Sequence, residues 1–105
     1  MNSRLVDSLV NLIESLDSED YTLLLQKLTE RTIQKHPDVC RGYARIRNTR
    51  IPVWTLVSFR QQGANEQEIL ENYPSLTLND LTAAWFYYQH NSAEIDRIID
   101  EEVNV

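Results

Sequence analysis

Three arginines, Arg45, Arg47 and Arg50, crowd the stretch Gly42-Tyr-Ala-Arg-Ile-Arg-Asn-Thr-Arg-Ile-Pro-Val53. A guanidinium is a planar fork that matches phosphate or carboxylate, and a short hairpin can project several together. The stretch reads as such a hairpin. Arg45-Ile46-Arg47 and Arg50-Ile51 are β-rich arms, and Asn48-Thr49 sits at the turn, where asparagine tolerates positive φ. Pro52 donates no ladder hydrogen bond, which makes the second arm a short edge that runs into a helix. The chemistry on offer is phosphate or carboxylate binding. Arg50 has a competing reading as an internal ion pair or a helix C-terminal cap.

A second set of candidates lies on the helix expected at 78–90. Asn79 and Thr82 are exposed on its pattern, and asparagine can read an adenine edge while threonine can touch a thymine methyl. Yet this helix has no Arg or Lys, and Asp80 at its start would face phosphate. Backbone contacts supply much of DNA affinity, so any grip on DNA must come from the hairpin arginines. The run Trp85-Phe86-Tyr87-Tyr88 points around the whole helix circumference. Either Trp85, Phe86 and Tyr87 serve a dimer or partner interface, or the last helix, with Ile95 and Ile98, folds back over them. His36, His90 and the single Cys40 are isolated, and two glycines cannot build a phosphate loop. We therefore expect no catalytic residues, no metal site, no cofactor and no enzyme activity.

The elements that must hold these residues are mostly helical. Leu5, Leu9, Leu12 and Leu16 form an apolar stripe at helical spacing, and Asp17 to Asp20 caps a second stripe that runs to Lys35. This pair cannot make a core alone and must pack on the rest of the chain or on another copy. After the hairpin come a helix from Val53 ended by Gly63, a short helix capped by Asn65-x-x-Glu68 and stopped at Tyr73-Pro74, and a helix capped by Thr77-x-x-Asp80. A last helix opens at Asn91-x-x-Glu94. The expected fold is mainly α. A trihelical helix-turn-helix core follows the short β-hairpin and the N-terminal helical pair. Residues 1–35 and 36–105 are its two parts. The chain has 105 residues and net charge −6, but residues 31–60 carry +6 while 1–30 carry −4 and 61–105 carry −8. That is a basic island in an acidic protein, suited to a local patch unless its arginines pair with their own acidic flanks. No stretch approaches a membrane span, so a soluble cytoplasmic protein is expected.

The run Arg47-Asn-Thr-Arg-Ile-Pro-Val53, then Gly63, then Gln67-Glu-Ile-Leu-Glu-Asn-Tyr-Pro-Ser-Leu-Thr77 resembles the bacterial domain-of-unknown-function family numbered 433. The resemblance covers about residues 34–90. Asn48 stands where the family most often has glycine, and Ala44 where it often has proline. The resemblance implies a homeodomain-like fold and the antitoxin half of a toxin–antitoxin pair, with a PIN-type ribonuclease as partner, a homodimer, and binding to operator DNA. The alternative is a protein-interaction or assembly module with no DNA role.

Overall fold

The computed structural model describes residues 2–104, so Met1 and Val105, the outer bounds of the two parts expected from the sequence, lie outside the described residues. The chain runs α1 (Ser3–Glu14), α2 (Ser18–Thr32), β1 (Ile33–Gln34), a 3₁₀ turn at Cys40–Gly42, β2 (Arg45–Ile46), α3 (Val53–Gln61), α4 (Glu66–Asn72), α5 (Leu78–His90) and α6 (Ser92–Glu102). It is mainly helical with a short two-stranded antiparallel sheet.

Each helix of the core starts and stops for a local reason. Asp17 caps α2 by accepting from the Asp20 amide at 2.8 Å. Asn65 and Glu68 close a capping box on α4, and Thr77 and Asp80 close one on α5. Gly63 takes φ +103° just past α3, a conformation that favours glycine. The Asn91-x-x-Glu94 pattern does not close a box. One residue separates α5 from α6, and the Asn91 side chain donates from Nδ2 back to the Tyr87 carbonyl at 3.0 Å, while Glu94 turns to the Tyr87 hydroxyl.

The second helix ends three residues before Lys35. Ile33 and Gln34 become β1 and pair with β2 in the register Ile33↔Ile46 and Gln34↔Arg45. Extended backbone suits β-branched Ile33, whose side chain packs against the core. The expected hairpin is also present. Ile46 N–H donates to Ile51 O at 3.0 Å, Val53 N–H donates to Ala44 O at 2.8 Å, and Arg45 bridges Pro52. Thus β2 is flanked on both sides, with Pro52 on the outer edge. Positive φ falls on Arg47 (+38°) rather than on Asn48. Left-handed backbone is unfavourable for arginine by about 1–2 kcal/mol. Here it is held by Arg47 N–H donating to Thr32 O at 2.7 Å and by an ion pair described below.

The core sits where α3, α5 and α6 meet under β2. Ile46, Val53, Leu56, Ile69, Leu81, Ile95 and Ile98 are essentially inaccessible to solvent. Helix α2 crosses the outer face of α5, with Thr29 and Thr32 buried and Ala83 buried outside the main cluster. The threonine hydroxyls bond back to the carbonyls of Leu25 and Leu28, which leaves methyl groups for the contact. Helix α1 differs from all the others, because none of its residues is buried. No described helix is long and apolar enough to cross a membrane.

Candidate interaction surface

The structure separates the three hairpin arginines. Arg45 is buried at 9% exposure, with Nε and Nη1 lacking any hydrogen-bond partner among the described residues. Strand alternation points it away from the core face that Ile46 takes, yet it too is buried, so it leaves the surface patch. Arg47 donates from Nη2 to Asp80 Oδ2 at 2.8 Å, and Asp80 is fully buried. The same carboxylate oxygen accepts the Thr77 amide at 2.9 Å. Asp80 therefore joins the hairpin to the start of α5. It does not face outward toward phosphate as its position at the helix start suggested. Only Arg50 of the three is exposed with no carboxylate partner among the described residues.

Other cations of the basic island are engaged as well. Lys35 pairs with Glu94 at 3.1 Å and Arg41 with Glu102, both across about sixty residues of chain. Arg60 lies 4.6 Å over the Trp85 ring, a cation–π contact. The internal ion pairs weighed for these arginines thus exist for Arg41 and Arg47, and do not for Arg50.

On α5, Asn79 and Thr82 are exposed, and the Thr82 hydroxyl donates to the Leu78 carbonyl at 3.1 Å. The aromatic run is half-buried along its whole length. Trp85 Nε1–H donates to Glu66 at 3.3 Å, and Tyr88 O–H donates to Asp96 at 2.7 Å. Tyr87 O–H donates to Glu94 Oε2 at 2.9 Å, and Phe86 stacks on His90 at 4.3 Å. Phe86 divides two grooves between α2 and α5. One, about 450 Å³, is lined by Thr22, Gln26, Glu30, Tyr87 and Asn91. The other, about 670 Å³, is lined by Leu25, Arg60, Gln61, Thr82 and Gln89. Phe86 thus lies beside α2, while Asn79 and Thr82 stay exposed.

Lys35, Tyr87 and Glu94 form a titratable cluster. Burial pushes Tyr87 above its ordinary value of 10.0, and the Glu94 hydrogen bond adds to this against the opposing Lys35. For Lys35 burial pulls down, but hydrogen bonds to Tyr87 and Glu94 outweigh it and raise the group above 10.5. A hydrogen bond to Asp96 raises Tyr88, with burial contributing. Acid–base catalysis at neutral pH needs groups moved toward 7; these move away from it. All three folded-state values lie above the unfolded ones, so their contribution to stability is complete below about pH 10 and is lost as pH rises through the folded values. Absorbance titration of the tyrosines should show two of the five ionising later than the ordinary range, and Tyr87→Phe should remove one late step.

No curated protein matches the sequence. A crystal structure of a DUF433 member protein from Anabaena variabilis ATCC 29413, at 2.00 Å resolution, is similar. It is 51% identical, the match spans 94% of this chain and 98% of that one, and the TM-score is 0.65. Residues 33–88, from β1 to the aromatic run of α5, match the family described as Protein of unknown function (DUF433). On both grounds the chain belongs to the DUF433 family.

Proposed function

We propose that this protein is a non-enzymatic antitoxin, one that binds and blocks a partner protein, with a PIN-like ribonuclease as the partner class. The carrying observation is the distribution of unspent charge. Glu66, Glu68 and Glu71 on α4 and Asp96 and Asp100 on α6 are exposed with no cationic partner among the described residues, and of the acids beside them Glu101 is paired with Arg97, while Arg41, Arg47 and Lys35 are tied to carboxylates of their own chain. A ribonuclease must offer a basic surface to its substrate's phosphates, and an exposed acidic face is complementary to such a surface.

The test is co-expression with the product of a neighbouring PIN-like reading frame. A stable complex with suppressed ribonuclease activity is expected, and the triple variant Asp96→Lys, Asp100→Lys, Glu101→Lys should weaken it at least tenfold. A nuclease that remains fully active with excess wild-type chain would end the reading.

Operator DNA is a second ligand favoured by one observation, the unpaired Arg50 beside the hairpin tip. Titration of the gene's upstream DNA at several salt concentrations should then show a steep salt slope that Arg50→Ala makes shallower by about one unit. No binding at low salt removes the DNA role and leaves the protein-interaction module alone.

A further inference from the structure

We propose that α1 is a dimerisation arm whose occupant is the α1 arm of a second copy of this chain. The inference goes beyond the antitoxin reading and does not depend on it. Helix α1 is twelve residues long, and helices of that length are marginal in water without a packed face. Its start is well made, with the Asn2 side chain accepting from the Leu5 amide at 3.1 Å. Its apolar stripe nevertheless faces solvent, with Leu5 at 56%, Leu9 at 49% and Leu12 at 64% exposure. With Val6, Val10 and Ile13 of α1 and Tyr21 and Leu28 of α2, the exposed apolar residues sum to roughly 700 Å² per chain, close to one partner's share of a standard interface, about 800 Å².

Three features select a second copy. On α1 the spacing Leu5, Leu9, Leu12 steps by four and then three residues, which is the seam that helices use to pair with their own kind. Arg4, Asp7 and Glu14 are the only charges on α1, and at 100° per residue all three fall on the side away from the seam. Two copies laid antiparallel therefore meet leucine on leucine, with Ser8 and Ile13 beside the seam and no like charges in contact. The molecule is 49 Å along its longest axis against 29 and 27 Å across. Pairing through a projecting arm keeps apart two bodies that each carry −6, whereas pairing body to body would press like charges together. A membrane surface fits less well, because interfacial helices carry Lys and Arg on their polar face, and α1 has Arg4 against two acids.

The test is light scattering of the whole chain at roughly 10–200 µM, where the size of the interface predicts a dimer. The wild type should run at twice 12.3 kDa. Leu9→Asp and Leu9→Lys should each run as monomers with unchanged near-UV spectra, and an equimolar mixture of the two should recover the dimer. Trp85→Ala should keep the wild-type mass. A wild type that stays monomeric throughout, or a dimer that survives Leu9→Asp combined with Leu12→Asp, would overturn the proposal. So would near-UV spectra disturbed in both Leu9 variants, since α1 would then be packed on its own body. Sedimentation of a monomeric wild type with phosphatidylglycerol vesicles would assign the stripe to membrane instead.

Discussion

Asp80→Ala is expected to destabilise the fold by about 2–3 kcal/mol, the combined cost of losing a helix cap and a charge-assisted hydrogen bond whose arginine side stays half-exposed. For a domain of this size that is a fall of roughly 8–15 °C in Tm. Asp80 is fully buried and ties two elements together through three hydrogen bonds. It accepts the Thr77 amide that opens α5, it receives the Arg47 guanidinium from the hairpin, and its own amide donates to Thr77 Oγ1 at 3.2 Å. Alanine removes the cap and leaves Arg47 without a counter-charge while Arg47 still holds an unfavourable positive φ. Arg47→Ala should also be costly, because it strands a buried carboxylate. The double variant should lose less than the sum of the two, since each single change already removes the shared contact. Thermal melts of the four proteins form the cycle, and strict additivity would show that the pair is not coupled. The carboxylate is shielded from counter-ions, so the coupling should persist at high salt.

The second large effect is expected at α6. Ile98→Ala should destabilise by about 2–5 kcal/mol, as truncation of a fully buried isoleucine does. A fragment limited to residues 33–88, the span that carries the family match, should show no cooperative melt. It would lack Ile95, Ile98 and Ile99, which complete the core with Leu56 and Leu81. It would also lack α2, which covers Ala83. Heat-capacity measurements on the fragment and on residues 17–104 separate the two contributions. A sharp melt of the short fragment would show that α6 is dispensable.

Much of this architecture can be read from local chemistry. Thr77 and Asp80, Asn65 and Glu68, Gly63 and Tyr73-Pro74 mark helix ends through contacts within four residues, and the structure places the ends there. What stays hidden is long-range. Ile33 and Gln34 sit at the end of a helical stripe, and only their pairing with β2 makes them strand. The alternation of Arg45 and Ile46 says that they point to opposite faces, yet both end buried because β2 is covered on both sides. Asp80 was readable as a cap but not as the partner of Arg47, thirty-three residues away. The stripe on α1 says which face needs covering and nothing about what covers it. For the same reason the candidate surface was only partly readable: charge segregation was plain, but which cations remained free depended on Glu94, Glu102 and Asp80.

The dependence of the core on α6 also orders events on the ribosome. Synthesis runs at about 5–20 residues per second, so α1 emerges roughly 5–20 s before α6 is made. Throughout that interval the nascent chain carries the exposed leucine stripe and an open interior. Neighbouring chains on one messenger would meet through their arms before either body has closed, so assembly would precede folding.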